Sequence, residues 1–219
     1  MSARAVHLVN TRVANIASVR AALARLDHDV IDATSAEHVE RAERLVLPGV
    51  GTPGAALEAL ENNGMRAALG ERLAAGRATL CICLGLQLLA ERSDESPGTA
   101  LFGLLPAPIT RLPRSVRVPQ LGWNLVRARD DAWLAAGYAY YANSYCLSAE
   151  HFAAVEAAGF EIAESELVPR RGDVTQPVRF CGAVRRGALW ACQFHPELSG
   201  RFGAELLRAW LGAEGDGAC

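Results

Sequence analysis

Two rhythms of apolar residues alternate along the first ninety positions. Short unbroken apolar runs at 5–9, 30–31, 45–47 and 79–82 read as buried strands. Between them apolar residues return at helical spacing. Ile16, Val19, Leu23 and Leu26 would share one face of a helix over 15–26, and Ala56, Leu57, Leu60, Met65 and Leu69 would be the core positions of a helical stretch after the third strand. A helix over 84–91 follows the fourth strand. Alternating strands and helices, with strands apolar throughout, predict a parallel sheet covered on both faces. Past residue 95 the texture changes. Segments 118–127, 138–147 and 178–194 read as strands joined by short turns, and Arg185-Arg186-Gly187 marks a hairpin. A closing helix over 202–211 would put Phe202, Leu206 and Trp210 on one face. No repeat, low-complexity tract or long linker divides the chain. The expectation is one α/β domain over 1–219, a mostly parallel central sheet flanked by helices with an additional antiparallel β portion, ending in a mobile tail over 213–219.

Composition removes several function classes. The 22 basic and 24 acidic residues nearly cancel, and no basic stripe stands out, which argues against a nucleic-acid partner. The first residues, MSARAVHLVN, contain no apolar core of a signal peptide, and no run approaches membrane-spanning length. This predicts a chain that starts near Met1 and works in the cytoplasm, away from a membrane. Without an export signal, the six cysteines do not suggest a disulfide framework, and their spacing fits no zinc pattern. Cys146, Cys181 and Cys192 read as small buried hydrophobes. No metal and no cofactor are expected.

Cys81 and Cys83, in the stretch TLCICLGLQLL, raise the question of chemistry. The strand ends near Ile82 and the helix begins near Leu84, so Cys83 falls on the turn and Cys81 inside the strand. A strand-to-helix turn exposes a side chain at the carboxyl end of a sheet, and the helix N-terminus favours a thiolate. Cys83 is therefore a candidate nucleophile, with a plain buried cysteine as the competing reading. A nucleophilic cysteine needs a base and an orienter. Of the five histidines, His195 stands out in Gln193-Phe194-His195-Pro196-Glu197. Pro196 biases His195 toward extended backbone, where residues i and i+2 share a face, so Glu197 can approach the imidazole. A structural histidine is the alternative there. His38, in the charged stretch AEHVERAER, reads as a solvated helix face; His7 alternates into a strand; His28 and His151 have no evident partner. An oxyanion needs N–H donors. Leu84 follows the nucleophile and supplies one, and Pro48-Gly49-Val50-Gly51, after another strand, is either the second source or an ordinary strand-to-helix turn.

Together, Cys83-Leu84-Gly85-Leu86-Gln87, the upstream Pro-Gly-Val-Gly and the late His-Pro-Glu resemble a class I glutamine amidotransferase. Finer matches, in order, are Asn15-Ile16-Ala17-Ser18-Val19, Leu47 to Thr52, Pro119-Gln120-Leu121-Gly122-Trp123-Asn124, Asn143-Ser144-Tyr145 and Phe194 to Glu197. These resemble the glutaminase subunits of imidazole glycerol phosphate synthase, from histidine biosynthesis, over almost the whole chain. The resemblance implies the class I amidotransferase fold and a Cys83-His195-Glu197 triad that hydrolyses glutamine. It implies backbone oxyanion donors at Val50, Gly51 and Leu84, and substrate contacts from Gln87, Gly49, Gly51, Ser144 and Tyr145. It also implies ammonia delivery, in a heterodimer, to a (β/α)₈-barrel cyclase that would meet Asn15, Gln120, Trp123 and Asn124. Several positions depart from the family. Cys81 stands where a glycine is usual, Asn143 where many members carry His, and Leu198 where a basic residue is common. Arg12 and Ala14 replace glycines near the N-terminus. The same triad would serve an amidotransferase with a different acceptor or a stand-alone γ-glutamyl cysteine hydrolase, whereas loss of any triad member would have marked a non-catalytic binding subunit.

Overall fold

The computed structural model describes residues 5–10, 16–128, 133–169 and 176–213. The first half alternates as its apolar rhythm predicts: β1 (Val6–Val9), α1 (Ile16–Ala24), β2 (Val30–Ala33), α2 (Ala36–Arg41), β3 (Arg44–Gly49), α3 (Pro53–Asn62), α4 (Met65–Ala74), β4 (Thr79–Cys83) and α5 (Leu84–Leu88). The second half is mostly β: β5 (Arg92–Ser93), β6 (Pro108–Arg111), β7 (Gln120–Ala128), β8 (Gly137–Asn143), β9 (Tyr145–Cys146), α6 (Phe152–Ala157), β10 (Glu161–Leu167), β11 (Val178–Arg186), β12 (Leu189–Cys192) and the closing α7 (Gly200–Gly212).

Among the described residues one sheet runs β2-β1-β3-β4-β12-β11-β10-β7-β8. Its pairs from β2 across to β12 are parallel, and those from β12 to β8 antiparallel. The two halves meet where β12 lies parallel to β4, with Trp190 opposite Leu80 and Cys192 opposite Ile82. Each face of the sheet is covered by its own apolar cluster. One gathers Leu57, Leu60, Leu69 and Leu86; the other gathers Val19, Leu23, Tyr141, Phe180, Phe194 and Trp210. Burial on both faces is why β3 and β4 carry continuous apolar runs. A small second sheet, β5-β6-β9, stands beside the first.

The helical stretch after β3 is two helices rather than one, because Gly64 turns the chain at a φ of +65°. The expected helix over 84–91 stops at Leu88: the Glu91 N–H is captured by the Ala107 carbonyl and the chain enters β5. The strand expected over 138–147 divides at Ser144, so that β9 leaves β8 and pairs with β6. Strand β10 was hidden by its three glutamates, two of which pair across the sheet, Glu161 with Arg185 and Glu164 with Arg179. His38 is half-buried rather than simply solvated, its ring 6.5 Å from that of His7. His28 Nδ1 meets the Leu26 carbonyl at 2.8 Å, and His151 lies 3.4 Å from Glu150, so both have partners. The Arg185-Arg186-Gly187 hairpin joins β11 to β12 as expected. The tail beyond Ala213, with Cys219, and the positions Arg12, Ala14 and Asn15 lie outside the described residues. Among the described residues no helix is long and apolar enough to cross a membrane.

The contact that fixes the β4–α5 corner is made by glycines. A Cβ on Gly85 would stand 2.2 Å from the Leu47 carbonyl oxygen, and one on Gly49 would stand 2.8 Å from Leu84 Cβ. Helix α5 therefore packs directly onto the backbone of β3. Gly85→Ala is expected to cost about 2 kcal/mol of stability, as overpacking against an immovable backbone does. The check is a lower urea midpoint with an unchanged m-value.

Candidate active site

Cys83 sits on this corner with φ +55° and ψ −105°, one of two non-glycine residues at positive φ among those described. Such backbone costs on the order of 1–3 kcal/mol and holds only where its surroundings over-determine it. Here β4 is buried along its whole length and α5 is clamped by Gly85. The strained turn lifts the thiol out of the strand and sets it at the first turn of α5. Cys81, two residues back, is fully buried against the α5 side of the sheet. Burial pushes its thiol far above the ordinary cysteine value, and the nearby Arg72 only partly opposes this. A thiol so held is a poor thiolate. Environment separates the two cysteines: Cys83 borders a pocket and Cys81 does not. Cys146, Cys181 and Cys192 are free and buried, as their sequence context suggested, and burial pushes the Cys146 thiol up to about 12.

The histidine arrives from the other half of the chain. After β12, residues 193–195 continue past the end of β4, and the His195 N–H donates to the Tyr140 carbonyl of β8 at 2.9 Å. Ser199, which sequence reasoning overlooked, braces this segment. Its buried hydroxyl donates to the His195 carbonyl at 2.6 Å and accepts from the Tyr140 N–H at 2.9 Å. The imidazole borders the same pocket as the Cys83 side chain, and its Nδ1 lies 2.9 Å from Glu197 Oε1. Pro196–Leu198 form a single 3-10 turn, and this, rather than a continued strand, brings Glu197 under the ring. Burial disfavours the charged imidazole, but the hydrogen bonds and negative charges of Cys83 and Glu197 outweigh it and raise the His195 pKa to about 10.

A pocket of about 240 Å³ opens in front of Cys83. Val50, Gly51, Leu84, Gln87, Ser144, Tyr145 and His195 line it, so it gathers nearly all the residues expected to hold substrate or an oxyanion. Gly49 lies just behind, packed on Leu84. Gly51 has φ +91°, which only glycine adopts without strain, and Val50 beside it is exposed. Gln87 Nε2 donates to the Tyr145 carbonyl and to Gln193 Oε1, while Gln193 Nε2 reaches Cys83 Sγ at 3.6 Å. Asn143, at the position where the family often has His, donates to the Tyr145 carbonyl at 3.0 Å. Two lining or supporting residues were missed from sequence. Gln193 is fully buried behind the thiol. Glu95 lies in the polar loop after β5, with no local pattern to mark it, and is the one carboxylate lining the pocket; burial raises its pKa.

The residues expected to meet a partner divide. Trp123 is 59% exposed, stacked edge-on against Tyr140, and Leu121, Tyr138 and Leu198 are also exposed. Asn124 is half-buried and donates to the Glu166 carbonyl. Gln120, by contrast, is buried in the free chain, pointing away from the open face because side chains alternate along β7.

The chain belongs to a known family. Residues 7–211 match the family model for glutamine amidotransferase class-I. A relative from Symbiobacterium thermophilum, imidazole glycerol phosphate synthase subunit HisH, is 35% identical over 93% of this chain and 91% of its own. The HisH subunit of Thermococcus kodakarensis is 37% identical, covering 91% of this chain and 95% of its own. A crystal structure of a glutamine amidotransferase superposes with a TM-score of 0.68 at 22% identity, over 94% of this chain and 96% of that one, which speaks to the fold.

The charged imidazole makes stability depend on pH. His195 has a folded value near 10 against an ordinary 6.5, so its contribution is complete below pH 6.5 and is lost as pH rises through about 10. Unfolding free energy from urea titrations is expected to fall across that window. In Glu197→Gln the fall should shrink, because one of the two groups that stabilise the imidazolium is then neutral.

Proposed function

Because the chain belongs to the glutamine amidotransferase class-I family, and within it to the HisH subunits of imidazole glycerol phosphate synthase, we propose that it releases ammonia from glutamine at Cys83 for use by a cyclase partner. The observation that carries this reading is the line from Cys83 through His195 to Glu197: Cys83 and His195 border one pocket, the thiol stands on a positive-φ turn, and the imidazole Nδ1 lies 2.9 Å from Glu197 Oε1. We read residues 1–219 as one amidotransferase domain working in the cytoplasm.

The Cys83 thiolate attacks the side-chain carbonyl carbon of glutamine, forming a C–S bond. The resulting oxyanion is received by the Leu84 N–H at the start of α5 and by the backbone at Val50 and Gly51. His195, held charged by Glu197, gives its proton to the departing nitrogen, and ammonia leaves. His195 then takes a proton from water, which attacks the γ-glutamyl thioester and yields glutamate. Gln87, Gly49, Gly51, Ser144 and Tyr145 hold the rest of the substrate. Glu95 supplies the negative charge that pairs with its α-ammonium group. The exposed patch of Leu121, Trp123, Tyr138 and Leu198 is the face offered to a (β/α)₈-barrel cyclase, which combines the ammonia with a ribulosyl intermediate to give imidazole glycerol phosphate and an aminoimidazole carboxamide ribotide. With Leu198 in place of a basic residue, this docking relies on apolar contact more than on an ion pair. Asn143 keeps a hydrogen bond but brings no titrating group.

The test is glutamate release from glutamine with and without the cyclase of the same genome and its ribulosyl ligand. Low activity alone and a strong rise in the mixture support the subunit reading; steady activity that ignores the cyclase favours another acceptor or a free-standing hydrolase. Cys83→Ala is expected to abolish glutamine-dependent synthesis and to leave ammonia-dependent synthesis by the complex intact, while Cys81→Gly retains both. Glu95→Gln is expected to raise the KM for glutamine about tenfold with little change in kcat, since it removes one charge-assisted contact that substrate and transition state share. Steady-state kinetics of the complex measure both.

A further inference from the structure

The triad carboxylate is only half accounted for. Glu197 has a side chain 6% exposed, and its Oε1 meets His195, but its Oε2 is buried with no hydrogen-bond partner. A buried carboxylate oxygen without a donor is costly. A second cavity of about 120 Å³, which shares Val50 and His195 with the substrate pocket, is also lined by Ser18, Ile82, Glu197 and Leu198. Among the described residues Ser18 is the only hydroxyl side chain in that lining. It is half-buried on α1, which packs on the 196–198 turn, and its own hydroxyl makes no hydrogen bond among the described residues. Glu197, with its orphaned acceptor, and Ser18, with its unused hydroxyl, thus line one cavity with room for a bridging water.

We propose that Ser18 is a positioning residue of the triad, whose hydroxyl, through a water in this cavity, supplies Glu197 Oε2 with a donor and so holds the carboxylate aimed at His195. This rests on the triad reading above and extends it to α1. It also gives a task to Asn15-Ile16-Ala17-Ser18-Val19, the motif that the hydrolysis itself left unused. Other charged or titratable groups near Glu197 are Arg25, just past the end of α1, and Arg208 on α7, both exposed and lining a groove that Glu197 also borders, with Cys192 on β12 and His195 itself. The arginines are long enough to be rival donors, so they belong in the test.

Ser18→Ala, Ser18→Thr, Arg25→Gln and Arg208→Gln would be compared with the unaltered chain after circular dichroism shows each folded. The first readout needs neither cyclase nor turnover: the rate at which iodoacetamide alkylates Cys83, followed by peptide mapping, across pH. Without its donor the Glu197 carboxylate is held less firmly on His195, and support for the imidazolium beside Cys83 weakens. The acid limb in Ser18→Ala is expected to move up by roughly half a pH unit or more. Ser18→Thr and both arginine variants should keep the unaltered profile. The second readout is kcat of the complex, expected to fall about tenfold in Ser18→Ala with KM unchanged and to recover in Ser18→Thr. An unmoved acid limb in Ser18→Ala, an equal loss in Ser18→Ala and Ser18→Thr, or a shift found in an arginine variant instead would each overturn the proposal. Absence of glutamine hydrolysis in the unaltered complex would sink the amidotransferase reading while the alkylation profile still judges Ser18.

Discussion

The backbone of Cys83 is the constraint on which the rest of the site depends. A residue with a Cβ is held at φ +55° where a strand becomes a helix, and the turn persists because nothing around it can give way. Strand β4 is locked between β3 and β12, buried along its length. Helix α5 cannot drift, since Gly85 rides on the Leu47 carbonyl and Gly49 on Leu84. The strain is local and the clamp is distributed. Its result is a thiol that leaves the strand's own packing and stands at the N-terminus of a helix, where backbone N–H groups have no intrahelical acceptors.

A fixed thiol is useful only if its partners come from elsewhere in the chain. The antiparallel half of the sheet supplies them by lying parallel to β4 at a single seam, β12. Everything past that seam aims at the corner. Tyr140 of β8 receives the His195 N–H, Ser199 ties the same segment at two points, and a single 3-10 turn carries Glu197 back to the imidazole. The charge pattern follows from this geometry: a half-enclosed histidine between two acidic partners stays protonated well above neutrality, ready to give a proton before it takes one. The same antiparallel strands carry Trp123 and Tyr138 outward, so this exposed aromatic face is continuous with the strands that place the histidine.

Local chemistry marked part of this in the sequence. The β4–α5 corner was legible because Cys83 and Gly85 occupy spaced positions at the change from one periodicity to another, and His195 to Glu197 because Pro196 restricts the backbone between them. Strand β10 was not, since its outward glutamates are balanced only by arginines of another strand. Glu95, Gln193 and Ser199 lack any nearby pattern; Gln193 matters through Gln87 and Cys83, Ser199 through Tyr140, and Glu95 through the pocket it lines, all brought together by partners distant in sequence. Gln120 was expected to meet a partner, yet in the free chain strand alternation turns it inward. Cys83 was preferred over Cys81 for its place at the turn; what the sequence does not show is that Cys83 lines a pocket while Cys81 stays in the strand's packing.

The most direct test of the central claim is covalent capture with an electrophilic glutamine analogue, followed by mass mapping of the peptide that spans β4 and α5. The account predicts a single adduct, on Cys83, lost in Cys83→Ala and formed more slowly in Glu197→Gln. An adduct on Cys81, or hydrolysis of glutamine by a chain in which Cys83 stays unmodified, would contradict it.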